Sequence, residues 1–133
     1  MSAVRVYHTA SILENGTVLV IGGSNSTATH DSVELYDSLT NTWISKSNMK
    51  VPREYHTATI LTNGFVLVTG GWDRTSSKNT AELYNPVTNT WQLIESMSIK
   101  RSYHTASILV NGTILITGGE SNGTDINFSS DLY

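Results

Sequence analysis

The chain has 133 residues, room for one ordinary domain, and sets 8 Lys and Arg against 11 Asp and Glu for a net charge of −3. Charged residues make up only 14%, below the roughly one quarter usual in globular chains, and Ser, Thr and Asn take their place, which favours short strands and turns. The absence of cysteine excludes disulfides, thiolate metal sites and cysteine nucleophiles; the lack of a basic run argues against nucleic acid, and no apolar stretch nears the length of a membrane span.

The start, MSAVRVYHTA, has no apolar core of the kind a signal peptide needs. Met1-Ser2 stands 96 residues before Met97-Ser98, and Met49 holds the same position between them. Tyr7-His8-Thr9-Ala10 returns at Tyr55 and again at Tyr103, 48 residues apart each time, and a period of this length governs the fold reading. YHTASIL is the first predicted strand. Asn15-Gly16 follows, a strong hairpin signal for which a type I′ turn, with positive φ at both residues, is expected. TVLVI, nearly all Val, Leu and Ile, reads as a strand covered on both faces. It ends at Gly22-Gly23, where the backbone needs an unusual φ or a close approach. The polar loop SNSTATHDS leads to a third strand, SVELYD, and the turn SLTNT to a fourth at Trp43.

The second repeat has the same parts: Arg53 in the place of Arg5, Asn63-Gly64, Gly70-Gly71, the loop WDRTSSKNT, the strand TAELYN and the Trp91 strand. The third has Arg101, Asn111-Gly112, Gly118-Gly119, the loop ESNGTDINFSS and the strand SSDLY. Tyr133 follows Tyr84 by 49, one residue more than the period. The predicted units are 5–52, 53–100 and a truncated 101–133, and no window shows helical periodicity. Because the third unit stops before its Trp strand and Met1 falls on the repeating Met position, the chain is expected to be a piece of a longer one.

Four antiparallel strands per unit of about 40–50 residues is the pattern of a propeller blade. The Arg before the first strand, Gly-Gly after the second, then Tyr and Trp about seven residues on, resemble the kelch repeat. The wording YHTA…NG.VLV.GG is similar to the kelch repeats related to galactose oxidase. The resemblance implies an all-β fold, a partial kelch β-propeller of about three four-stranded antiparallel blades with the third incomplete. It also implies open blade faces that remaining blades or a second copy would cover. For function it implies little, since one fold serves many roles.

A residue present in every blade does a job every blade needs; a residue that differs is where a particular function resides. His8, His56 and His104 raise the possibility of a shared metal site. Equivalent positions on different blades are spread around an axis, whereas zinc ligands converge within about 2.1 Å, so the histidines are read as scaffold, packed between blades. Gly22, Gly23, Gly70, Gly71, Gly118, Gly119, Trp43 and Trp91 are read as scaffold too. Arg5, Arg53 and Arg101 are expected to join blade to blade, with Glu34 or Glu82 as partners; some kelch domains grip acidic peptides with arginines near this turn.

The loops after Gly-Gly differ, and rigid scaffolds carry function on such loops. Trp72, Asp73, Arg74 and Lys78 combine an aromatic with both charges; His30, Asp31, Glu120 and Asp125 are secondary binding candidates. GGESNG lacks the helix a phosphate loop requires, and the stretch from Asp125 lacks the Gly and Glu of a calcium loop. Asn15, Asn25, Asn111, Asn122 and Asn127 begin glycosylation sequons, which permit a secreted parent without showing one. No cofactor and no metal are expected. The expectation is a non-catalytic module binding a protein or peptide, with no nucleic-acid or membrane partner. The alternative is a fragment of a kelch-fold enzyme or of a secreted carbohydrate-binding protein. Galactose-oxidase relatives use copper with a Tyr–Cys crosslink, which this segment, lacking cysteine, cannot supply.

Overall fold

A computed structural model describes residues 1–133, and every regular element in it is a strand. Blade 1 is β1 (Thr9–Ile12), β2 (Val18–Ile21), β3 (Val33–Asp37) and β4 (Thr42–Lys46), antiparallel in chain order. Blade 2 repeats it with β5 (Thr57–Ile60), β6 (Val66–Thr69), β7 (Ala81–Asn85) and β8 (Thr90–Ile94). Blade 3 has β9 (Thr105–Ile108), β10 (Ile114–Thr117) and β13 (Ser130–Leu132) in the order β13-β10-β9. A two-stranded ribbon, β11 (Glu120–Ser121) and β12 (Asp125–Ile126), sits in its Gly-Gly loop. Between blades, the first strands β1, β5 and β9 approach one another and line the common axis.

Two features of the hairpins differ from the sequence reading. The Asn-Gly turns are not type I′: Gly16, Gly64 and Gly112 have φ of 80°, 80° and 84°, while their asparagines keep negative φ. Leu13 and Thr17 pair across the three-residue loop Glu14-Asn15-Gly16, a type I turn closed by a left-handed glycine. Asn15 Oδ1 accepts the Thr17 N–H at 3.1 Å, and Asn63 and Asn111 repeat the bond; this local side-chain bond selects the longer loop. Secondly, β1, β5 and β9 start two residues after the tyrosine, because Tyr7, Tyr55 and Tyr103 hold left-handed φ of 57°, 54° and 55°. An aromatic there is costly and persists only where neighbours over-determine it.

The core lies between blades. Leu19, Ile21, Val33 and Met49 of the first repeat meet Val66, Val68, Tyr84 and Trp91 of the second. Leu67, Ala81 and Met97 meet Ile114 and Ile116 of the third. Full burial of a Val, Leu or Ile contributes about 1.5–3 kcal/mol, so each interface is a hydrophobic core in its own right. Trp91 is buried, its indole N–H donating to Ser47 O at 2.8 Å; Trp43, on the outer side of blade 1, is 40% exposed.

One arginine per repeat ties the layers together. Arg53 is fully buried. Its Nη1 donates to Gly70 O at 2.5 Å and Thr80 O at 3.1 Å, and its Nη2 pairs with Glu82 at 2.9 Å. Arg5 reaches Gly22 O and Glu34, and Arg101 reaches Gly118 O and Asp131, in the same way. The ion pairs therefore lie within blades rather than between them. The main chain makes the crossing instead: Gly23 N–H donates to Arg53 O and Gly71 N–H to Arg101 O, both at 2.9 Å. Only glycine permits that approach, since a Cβ on Gly22 would stand 2.5 Å from Arg53 O. Burial raises the Glu34 carboxyl, but hydrogen bonds from Ser2 and Arg5 outweigh it and hold the group below its usual range.

His56 and His104 are buried, each turned to the preceding blade. Nε2 of His56 lies 2.9 Å from Thr9 Oγ1, and Nε2 of His104 lies 3.0 Å from Thr57 Oγ1 and 3.1 Å from Thr69 Oγ1. His8 faces no blade within residues 1–133 and is exposed. Burial first, then the nearby charge of Arg53, pushes His56 down from 6.5 to about 3. Burial, then Arg101, takes His104 to about 4.

Two outcomes follow from these contacts. Glu82→Ala strands the buried Arg53 guanidinium and should cost about 3–5 kcal/mol in urea unfolding; a loss under about 1 kcal/mol would show the pair to be dispensable. The unfolded chain protonates both histidines near 6.5 and the folded chain only near 3–4. Unfolding therefore takes up protons between those values, and the stability present above pH 6.5 is lost as pH falls through that window. Urea midpoints measured from pH 7.5 downward should show this slope, and a His56→Asn, His104→Asn double variant should lose much of it.

Candidate functional site

The hairpin geometry decides which residues share a rim. Because β1 and β2 are antiparallel, the residues before β1 and those after β2 emerge at the same end. Isolated bridges Val6–Ser24, Glu54–Trp72 and Ser102–Glu120 extend each hairpin into that rim. The three Gly-Gly loops, the inter-blade linkers and the three left-handed tyrosines therefore lie together around the axis.

The tyrosines form a row. Tyr55 N–H donates to Tyr7 O and Tyr103 N–H to Tyr55 O, at 3.2 and 3.1 Å. The ring centroids are 4.2 and 4.0 Å apart. This explains the left-handed backbone: it turns each ring onto its neighbour while the next peptide bonds across blades. Burial, and then the neighbouring hydroxyls of Tyr103 and Tyr7, push the Tyr55 phenol well above its usual range.

Each loop candidate has a definite place. Asp73 Oδ1 caps the turn it starts, accepting from Thr75 N and Ser76 N at 3.0 Å and from Thr75 Oγ1 at 2.6 Å. Lys78 pairs with the other oxygen. Burial raises the Asp73 carboxyl, yet the bonds from Lys78, Thr75 and Ser76 hold it well below the usual carboxylate range. Asp73 and Lys78 thus shape the loop. His30 Nε2 lies 3.3 Å from Val4 O, and Asp31 accepts from Asn48 at 3.2 Å. Both pin the first loop to the linkers. Trp72 is half-buried and its indole makes no hydrogen bond. Arg74, left-handed at φ 75° and exposed, reaches across to the first loop and donates to Asn25 O and Ser26 O. Glu120 is half-buried in β11 and Asp125 exposed in β12. Arg74 therefore joins loops one and two, and Ser77 joins loops two and three, its Oγ donating to Glu120 O at 3.3 Å and accepting from Asn122 N–H at 2.9 Å, while no hydrogen bond or ion pair engages the Glu120 or Asp125 carboxylate.

Two features of the rim were not among the candidates. Glu54, directly before Tyr55, is only 5% exposed, and its carboxylate accepts from Ser24 Oγ of the preceding loop. Its counterparts are Val6 and Ser102, so the test of repeat-to-repeat difference would have found it had it been applied before the tyrosine. The tyrosine row has no such signal, because its residues are identical in every repeat and only the backbone reveals their stacking. No three His, Asp or Glu side chains gather as a metal site would require. The surface offers aromatic edges, hydroxyls and charges of both signs, the chemistry of recognition.

No characterised protein compared by sequence matches the chain. A solved structure described as a novel fungal alcohol oxidase with catalytic diversity among the AA5 family, in complex with copper, superposes with a TM-score of 0.85 at 18% identity. The match covers 96% of this chain and 31% of that one, and at such identity it shows the fold, that of a galactose-oxidase-like kelch protein. The model of the KLHDC2/KLHL20/DRC7 Kelch-repeats domain matches residues 2–133, nearly the whole chain, and the chain belongs to that kelch-repeat family.

Proposed function

We propose that the chain is a non-catalytic interaction module whose Gly-Gly rim binds a protein or peptide segment. The observation that carries this is the bridge from Arg74 to the carbonyls of Asn25 and Ser26. It fuses two loops into one surface, within which Trp72 bridges to Glu54, the residue before Tyr55. Trp, Tyr and Arg are the residues most often central to binding. A rigid rim also keeps the entropy cost of binding small. Membership of the kelch family supports a propeller interaction module in general terms. The partner is a protein or peptide; nucleic acid and membrane are not favoured by a net charge of −3.

The open faces of blades 1 and 3 are part of the same reading. Ile12 is 69% exposed on the first and Leu132 65% on the last. Their counterparts in blade 2 lie packed against a neighbour, so further blades or a second copy would cover them. Multi-angle light scattering distinguishes these: a dimer supports the second copy, and a monomer supports further blades.

A second reading, part of a kelch-fold oxidase, draws on the copper-containing alcohol oxidase whose fold this chain shares. At 18% identity that likeness carries fold and not activity.

Peptides selected from a random displayed library on the immobilised chain test the proposal. Binding measured by calorimetry should weaken at least about tenfold, or 1.4 kcal/mol, in Trp72→Ala and in Arg74→Ala, with thermal midpoints unchanged. Selected peptides that bind both variants as well as the parent would contradict it.

A further inference from the structure

The opposite rim is chemically different. All 8 lysines and arginines lie on the Gly-Gly side: in the linkers, in the second loop, or, for Lys46, at the end of β4 opposite Val33. The other rim consists of the Asn-Gly turns and the turns from β3 to β4 and β7 to β8. Its only charged side chains are Glu14 and Asp37, and it displays exposed apolar residues, Leu39 at 93% and Val87 at 90%.

Between the Asn-Gly turns of blades 1 and 2 this rim opens into a cleft of about 330 Å³. Leu13, Phe65, Pro86 and Val87 supply its apolar wall, and Glu14 lines it beside them. Asp37 Oδ1 is engaged by the Leu39 N–H at 2.9 Å. Glu14 makes no hydrogen bond or ion pair, and its carboxylate reaches over to 3.9 Å from where a Cβ on Gly64 would stand.

The lining is peculiar to this one interface. Phe65 is Thr17 and Thr113 in the other repeats, Glu14 is Thr62 and Val110, and Pro86 is Ser38. Yet all three Asn-Gly turns have the same geometry, with glycine φ of 80°, 80° and 84°. The turn therefore does not require Phe65 or Glu14. A large aromatic stands where threonine suffices elsewhere, and an unpaired carboxylate where threonine or valine does. A volume of this size falls at the lower end of the roughly 300–1,000 Å³ typical of ligand pockets and suits one side chain.

We infer that this cleft is a second interaction site, one that takes an apolar side chain flanked by a lysine or arginine from a peptide segment of a partner protein. The apolar walls receive the side chain, and Glu14, the one carboxylate of this cation-free rim that makes no hydrogen bond, selects the basic neighbour. An acidic neighbour would face the carboxylate without compensation.

Acetyl-Phe-Arg-amide and acetyl-Phe-Glu-amide, titrated separately into the 15N-labelled chain at low salt, test this. The Arg peptide should shift the amides of Asn15, Gly64, Phe65 and Val87 and bind at least about threefold more tightly than the Glu peptide, an advantage that exposed ion pairs can supply and that salt removes. Glu14→Gln should erase the difference between peptides. Phe65→Thr, which borrows the residue of the other two repeats, should abolish the shifts with the rest of the spectrum intact. No shifts at the cleft, equal binding of both peptides by the parent chain, or a preference that survives Glu14→Gln would overturn the inference. Shifts of the same amides on concentrating the chain alone would overturn it in favour of self-association.

Discussion

A guanidinium taken out of water needs every one of its partners, and the architecture rests on that requirement. Arg53 meets it through its two terminal nitrogens, which reach two carbonyls, the Thr80 hydroxyl and the Glu82 carboxylate of its own blade and leave only Nε–H without a partner. In doing so it fixes the end of β6, the start of β7 and the Gly-Gly corner relative to one another. Its own main chain then accepts Gly23 N–H and donates to His30 O of the preceding blade. One residue per repeat thus closes a blade through its side chain and joins two blades through its backbone. Buried ion pairs are weak sources of net stability, but they are costly to break and tolerate few alternative arrangements. Apolar packing supplies the energy of the interface; the arginine supplies its geometry. The loops and tyrosines of the rim inherit that geometry, since they begin within a few residues of it.

The two rims divide the remaining tasks differently. On the Gly-Gly side, polar atoms are largely committed to one another: Asp73 with Lys78, His30 with the Val4 carbonyl, Glu54 with Ser24. This makes a stiff surface whose free features are aromatic rings and a few charges. On the opposite side the turns are closed by their own asparagines, and the side chains beyond them are free to vary. Each rim therefore separates what shapes the backbone from what is presented to a partner.

Much of the fold was legible because each strand and corner recurs in register. Apolar second strands, Gly-Gly corners and the Tyr–Trp spacing each had two or three copies to read. The turn type was not legible, because Asn-Gly serves both a two-residue and a three-residue loop, and the capping bond from Asn15 to Thr17 decides between them. The left-handed tyrosines were hidden for a related reason: aromatic residues favour strands, and only stacking across three blades overrides that preference. Glu34 and Glu82 were legible as partners of Arg5 and Arg53 but Asp131 was not legible as that of Arg101, and a linear sequence does not distinguish a carboxylate in the same blade from one in the next. Among the loop residues, charge alone marked Asp73, Lys78 and Arg74 equally. The structure separates them, with the first two folded into their own turn and the third extended to the neighbouring loop.

Amide hydrogen exchange in the Arg53→Lys variant tests the dual role of the arginine most directly. Lysine keeps the charge and the stem but cannot fork between two carbonyls and a carboxylate. If one residue both closes its blade and joins it to the last, the Gly70 amide, bonded to Thr80 O, and the Gly23 amide, bonded to Arg53 O, are protected like those of β2 and β6 in the parent chain. Both should then lose protection together in the variant. Faster exchange at Gly70 with Gly23 unchanged would contradict the account, showing that blades are joined independently of the buried arginine.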